Sequence, residues 1–266
     1  MKSSTSLTHH LKFGFIIALA ATFGLHAQEV DNAASKYVRS LSLGASLTDG
    51  NSETMLANGS FLLTGEKDSL GSFKTGLEGN YGENKVREVT VAADGSETEK
   101  KRDEKTVANA KAYAEARKTL TDMTFASLNG SIVHDGIAEI NYRAMVGPGL
   151  GMYLLKDDQR KLSVEAGVEQ VWEEVDNHYD DYLALRFAEA GEYKFGTGGR
   201  IWQSIEYLPE ASDFENYLIN AELGVEAPLQ GAMSLRVVLQ DKYDNQPGVG
   251  LDRNDLALIA GISIKL

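Results

Sequence analysis

Cysteine is absent from this chain of 266 residues, basic residues are scarce, and no long hydrophobic run follows the N-terminus. Without cysteine there is no disulfide framework. With 26 Lys and Arg against 39 Asp and Glu, the charge of −13 excludes a general nucleic-acid binder, which needs cations to meet phosphate. No stretch beyond residue 27 is long and apolar enough for a transmembrane helix. Histidine is rare too: of the 5, only His134 and His178 lie beyond residue 27.

What is present begins with an export signal over residues 1–27. Lys2 and Lys12 supply the positive region, Phe13 to Leu25 the apolar one, and Leu25-His26-Ala27 a cleavage site before Gln28. Its removal takes two positive charges and leaves 24 basic against 39 acidic residues, a formal charge of −15. An exported chain is not a cytoplasmic enzyme, and hydrophobics at 42% suffice for a large folded structure. Residues 28–36 read as a short periplasmic leader and 37–266 as one domain.

Within that domain the hydrophobic period is two, the period of a strand with two different faces. Leu41, Leu43, Ala45 and Leu47 alternate with Ser40, Ser42, Gly44 and Ser46. After the turn sequence Asp49-Gly50-Asn51-Ser52, the chain returns through Met55, Ala57, Gly59, Phe61 and Leu63. Further strands are expected near 71–82, 105–117, 123–134, 141–155, 161–173, 182–195, 200–208, 216–228, 233–243 and 254–266. These strands are longer than the usual five or six residues and suit a tilted bilayer crossing. The expected fold is all-β: a single antiparallel up-and-down transmembrane β-barrel of 12 strands, located in the bacterial outer membrane.

Connections sort by length. Gly65 to Ser69, Thr119 to Asp122, Lys156 to Arg160, Gly196 to Gly199 and Leu229 to Ala232 are short. Those between them are expected as longer outer loops: Glu83 to Glu104, Asp135 to Ile140, Glu174 to Asp181, Pro209 to Glu215 and Asp244 to Arg253. Asp49 to Ser52 is the short exception. Tyr81, Tyr142, Trp172, Tyr182, Trp202, Tyr207, Tyr217 and Tyr243 fall near strand ends, where interfacial girdles sit. The last strand carries Leu256, Leu258, Ala260, Ile262, Ile264 and Leu266 on one face, although barrels of this kind usually end in an aromatic residue. A soluble β-sandwich or lipocalin-like cup is the alternative.

If the apolar faces meet lipid, the opposite faces line the lumen. They carry Lys74, Glu78, Lys111, Glu115, Arg117, Arg143, Glu165, Glu169, Arg186, Glu192, Lys194, Glu222, Glu226, Arg236 and Gln240. Charges at these positions would be costly against lipid. Their mixed signs fit either a lumen closed by salt bridges or a polar pore. Twelve strands give a backbone radius of roughly 12 Å, which long side chains narrow greatly. That disfavours a general diffusion porin, built on about sixteen strands.

Candidate chemistry is thin. Outer-membrane phospholipases place a His two residues before a catalytic Ser, whereas Gly136 follows His134 at that spacing and Asp180 follows His178. Five carboxylates crowd Glu173 to Asp181, yet no calcium-loop spacing is present. Gly147-Pro148-Gly149-Leu150-Gly151 lacks the helix a phosphate loop needs, so its glycines are expected to make room inside the barrel. Lys100 to Glu104 reads as a solvated, charge-balanced segment. No catalytic, cofactor-binding or metal residue is assigned.

The pattern resembles the domain-of-unknown-function 481 family, the salt-induced outer membrane proteins. The residues that carry the likeness are Leu43 to Thr54, Tyr142-Arg143 with Gly147 to Gly151, Leu162 to Gly167, Asn216-Tyr217, and Tyr243 to Pro247 with Asp255. The resemblance covers nearly all of 37–266. It implies an outer-membrane barrel without an established activity, and its name suggests an envelope-stress role. Expected partners are outer-membrane lipid and lipopolysaccharide, the barrel assembly machinery through the C-terminal strand, and a small solute.

Overall fold

Alternation of side chains decides how the strands pair. The computed structural model describes residues 36–48, 53–67, 71–91, 97–248 and 250–266. Its strands are β1 (Lys36–Thr48), β2 (Glu53–Lys67), β3 (Gly71–Val91), β4 (Glu97–Thr119), β5 (Thr124–Asp135), β6 (Ile140–Lys156), β7 (Arg160–Val175), β8 (His178–Phe195), β9 (Gly199–Pro209), β10 (Tyr217–Pro228), β11 (Met233–Asp244) and β12 (Asn254–Lys265). Each pairs antiparallel with its neighbours in chain order, and β1 closes the barrel against β12. At the closure Ser42 lies opposite Ser263 on one side and Ser60 on the other, while Leu43 meets Ile262 and Gly59. A one-residue slip would turn the apolar row inward and the serines outward. The expected signal peptide, the expected leader up to Ser35 and the expected turn Asp49 to Ser52 lie outside the described residues.

The apolar side of this barrel is its exterior. Leu43, Leu77, Leu128, Leu150, Leu223, Leu256 and Leu258 are all at least half exposed. Soluble proteins rarely carry so continuous an apolar surface, and hydrocarbon is the solvent it suits. Aromatic side chains cluster at both rims. Rings of Phe187 and Tyr207, Tyr207 and Tyr217, and Tyr217 and Tyr243 lie 6.4, 5.6 and 5.8 Å apart along four strands. At the opposite end Tyr37 faces Phe73 at 6.0 Å and Tyr193 faces Phe195 at 6.5 Å. A polar pair interrupts the apolar exterior: the Gln203 amide donates to Glu189 at 2.9 and 3.0 Å, midway along β8 and β9.

Three expectations need correction. Glu83 to Glu104 is not mainly loop, because β3 continues to Val91 and β4 starts at Glu97, with Lys85 opposite Asp103 and Val86 opposite Arg102. Likewise Glu174 to Asp181 is strand apart from Asp176 and Asn177, whose φ values of 49° and 60° make a two-residue hairpin turn. Strand segments beyond the apolar band have water on both faces, so backbone pairing holds them without alternation. Among the described residues, the long connections at this end are 210–216 and 245–253. Trp202 and Tyr182 also leave the expected girdle and point into the lumen, because each shares the face of the lumen charges on its strand.

Candidate functional site

The lumen is filled on one side and lined by small residues on the other. On the filled side, β5 contributes Phe125, Ser127 and Asn129, and β6 contributes Gly147, Gly149 and Gly151 on its inward face. A side chain at Gly149 would reach Glu165 Oε1 and Ser127 Oγ at 2.7 Å, so glycine is required for the charged neighbours to pack there. Arg186 on β8 is the hub. Its guanidinium meets Glu165 at 2.5 Å, Glu206 at 2.5 Å and Glu169 at 3.3 Å. Glu165 also accepts from Ser127 at 2.6 Å and Asn129 at 2.8 Å, and faces Arg117 at 3.5 Å. The three hydrogen bonds, from Arg186, Ser127 and Asn129, all fall on Oε1, while the buried Oε2 has no hydrogen-bond partner and meets only the Arg117 charge.

Above and below this network the same side is packed further. Toward the long connections Met145, Val171, Tyr182, Ala184, Leu208 and Leu218 form a buried apolar cluster. Toward the short turns Phe125 and Tyr153 pack at 5.1 Å, with the Arg117 guanidinium 4.4 Å from the Phe125 ring centre. Glu226 and Glu192 share Arg200 at 2.9 and 3.4 Å, and Trp202 donates to Glu222 at 2.6 Å.

Among the described residues, four ion pairs cross the lumen. Lys242 on β11 faces Asp135 on β5, six strands away, at 3.9 Å. Arg143 on β6 pairs with Glu173 beside it and with Asp244 on β11 at 3.0 Å. Lys161 on β7 reaches Glu66 on β2 at 3.7 Å, and Arg117 on β4 reaches Glu165 on β7. Arg and Asp side chains joined at hydrogen-bond distance hold their Cα atoms within about 14 Å. A circular barrel of twelve strands would separate such positions by roughly 23 Å. The walls are drawn together at that level.

Across from the filled side, the inward residues are mostly small. They include Ser40, Ser42, Gly44 and Ser46 on β1, Asn58 and Ser60 on β2, Gly76 and Asn80 on β3, and Ala257, Gly261 and Ser263 on β12, and share that face with the larger Leu56, Leu62, Lys74, Glu78 and Ile259. Between them and β11 lies a pocket of about 410 Å³, counting the solvent at its mouth, walled by the polar residues Ser42, Asn58, Ser60, Glu78, Arg236 and Gln240 and by the apolar Val238 and Ile259.

The register places Lys74, Glu78, Lys111, Glu115, Arg117, Arg143, Glu165, Glu169, Arg186, Glu192, Lys194, Glu222, Glu226, Arg236 and Gln240 on the lumen face. It brings Arg117, Glu165, Glu169 and Arg186 together; Arg143 joins a separate group, and Lys194 lies at the turn rim, 3.8 Å from Glu192. Sequence reasoning missed Arg200, Glu206, Trp202 and Tyr182, whose parity along β8 and β9 would have revealed them. It also missed the bridging partners Asp135, Asp244 and Glu66, for which no local signal exists. His134 and His178 are exposed, each with Nδ1 2.9 Å from a backbone carbonyl, of Asn141 and Asp176 respectively. Among the described residues no group of three His, Cys, Asp or Glu is arranged to hold a metal.

An up-and-down β-barrel with an apolar exterior and a charged, partly filled lumen is thus the class of protein that the strands define. The chain belongs to the family described as "Protein of unknown function, DUF481", whose pattern matches residues 41–265. It is similar to the NanC porin, with 10% identity over 86% of this chain and 99% of that one and a TM-score of 0.49. Similarity to the KdgM porin gives 10% identity, 86% and 98% coverage and a TM-score of 0.42. For the transport unit of the autotransporter AIDA-I from Escherichia coli the values are 11%, 89%, 91% and 0.37. No curated protein matches the chain.

Proposed function

We propose that the protein is a non-enzymatic barrel of the bacterial outer membrane that passes small polar solutes through an off-centre lumen. The observation that carries this reading is the asymmetry of the interior. Charges and aromatics fill the side from β4 to β10, whereas serines, asparagines and glycines prevail on the side formed by β12, β1, β2 and β3, with Lys74 and Glu78 at its β3 edge. Water and small solutes pass readily along hydroxyl and amide groups in such a groove, while bulky solutes meet the filled side. The exterior leucines and both aromatic rims support insertion in a bilayer. Planar-bilayer recording of the refolded protein tests the reading. Small, steady conductance steps are expected, and they should grow when Arg143→Ala removes the bridge to Asp244. Silence from both proteins would overturn it.

The cross-lumen ion pairs favour a second reading, a barrel closed by its own charges and acting through its rim, which the same silence would support. The setting in either case is the cell envelope, and the family resemblance adds a role under salt stress. Unchanged growth of a deletion strain at high salt would remove that role.

A further inference from the structure

Arg236 differs from the other lumen arginines. Arg117, Arg143, Arg186 and Arg200 each have a carboxylate within 4 Å. Among the described residues, Arg236 has none. Its Nη1 donates to the hydroxyls of Ser60 at 3.1 Å and Ser42 at 3.5 Å. Its Nε is shut off from water without an acceptor, an uncommon state for a buried N–H group. The guanidinium lies 5.3 Å from the Trp202 ring centre and forms part of the pocket wall.

The other charges nearby are matched. Lys74 and Lys111 sit 5.3 and 5.6 Å from the Tyr113 ring centre, and the register sets Glu115 opposite Lys74 and Glu78 opposite Lys111. Glu222 lies in electrostatic range of both Arg236 and Lys74, and already accepts from Trp202 at 2.6 Å and Gln240 at 3.0 Å. The pocket wall itself holds one cation, Arg236, and one carboxylate, Glu78, whose cross-strand neighbour is Lys111. Arg236 is thus the lumen arginine that no carboxylate meets at ion-pair distance among the described residues.

We propose that this pocket binds a small oxyanion, a carboxylate or phosphate group carried on a polar solute, with Arg236 as its principal contact. A planar guanidinium matches the paired oxygens of either group. A small rotation would give the shielded Nε an acceptor as the anion arrives. Ser42, Asn58, Ser60 and Gln240 offer hydroxyl and amide groups to the rest of the solute. The site lies in the lumen proposed above as a passage, yet occupancy requires no transport.

Trp202 provides a local reporter, because the chain has only 2 tryptophans and the other, Trp172, faces outward. Refolded Trp172→Phe protein would be titrated with glucuronate, glucose 6-phosphate and glucose at constant ionic strength, following tryptophan emission. A saturable change is expected with glucuronate, glucose 6-phosphate or both, and which one responds identifies the anion. Arg236→Gln in the same background should weaken that response at least tenfold, with Arg236→Lys in between. Heat-modifiable migration reports whether each variant has folded. Should Arg236→Gln fail to fold, the comparison with neutral glucose decides. No saturable response to either anion, equal affinity for glucose, or a folded Arg236→Gln protein within twofold of its parent would overturn the proposal. Intact binding in a protein that does not conduct would remove the passage and leave the site, and conduction without binding would do the reverse.

Discussion

Replacing Arg186 by Met tests whether the filled side of the lumen is dry. The Arg186 side chain is 11% exposed, and the carboxylates it holds, Glu165, Glu169 and Glu206, are 3%, 6% and 25% exposed. Methionine has similar volume and no charge, so the substitution removes the cation while keeping most of the side chain's bulk. Glu165 keeps Ser127, Asn129 and Arg117, and Glu206 keeps the Asn220 amide at 3.3 Å. Glu169 has no other ion-pair partner among the described residues. Removing one partner of a buried charge cluster costs about 3–5 kcal/mol, since the remaining charges stay desolvated. Urea titration of the vesicle-inserted barrel, read by heat-modifiable migration, measures the loss. Adding Glu169→Gln and Glu206→Gln to Arg186→Met should recover more than about 1 kcal/mol, the size expected of coupled neighbours. A loss below about 1 kcal/mol for Arg186→Met would match an exposed pair and refute the reasoning. The carboxylates would then be hydrated and the filled side would contain water.

Three further outcomes are expected. Gly149→Val should destabilise the barrel by about 1–3 kcal/mol through overpacking against Glu165 and Ser127. Gly130→Ala, where the nearest atom to an added Cβ is 3.7 Å away, should stay within about 0.5 kcal/mol in the same titration. Glu189→Leu combined with Gln203→Leu should stabilise the inserted protein by on the order of 1 kcal/mol, since it removes a polar pair from the apolar exterior; a comparable destabilisation would show that the pair meets a polar partner there. In the turn after β6, hydrogen bonds from the Arg160 side chain and backbone hold the Asp157 carboxyl below the ordinary aspartate range. Its stabilising effect is therefore complete above the ordinary value of about 3.9 and fades as pH falls through the lowered one. A carboxyl titration by NMR with its midpoint at or above 3.9 would contradict this.

Alternation made the wall of the barrel legible because lipid on one side and a polar lumen on the other write a period of two into each strand. β1 and β12 show it most cleanly, as leucine and isoleucine rows opposite serines. Where that contrast ends, the signal ends. The outer parts of β3 and β4 have water on both faces, so Lys85 and Asp103 read as loop although their backbones pair. Trp202 and Tyr182 lie near strand ends, as girdle aromatics do, yet their parity turns them inward. The lumen face could be named from parity alone, including Arg186 and Glu165. The bridge from Arg143 to Asp244 could not, since it joins residues 101 apart in sequence and depends on how far the walls approach. The fill of one side and the openness of the other arise from that same closure.

The absence of cysteine permits a direct test of the asymmetric lumen. Single cysteines at Ser60, Phe61 and Ser163 would be placed in the vesicle-inserted protein and exposed to a water-soluble thiol reagent. Ser60 borders the polar pocket, Phe61 follows it on the outer face, and Ser163 is 5% exposed on the filled side. Rapid labelling of Ser60→Cys with slow labelling of Phe61→Cys and Ser163→Cys is the predicted result. Labelling of Phe61→Cys as fast as Ser60→Cys would contradict the lipid-facing exterior, and equally fast labelling of Ser163→Cys would contradict the half-filled lumen.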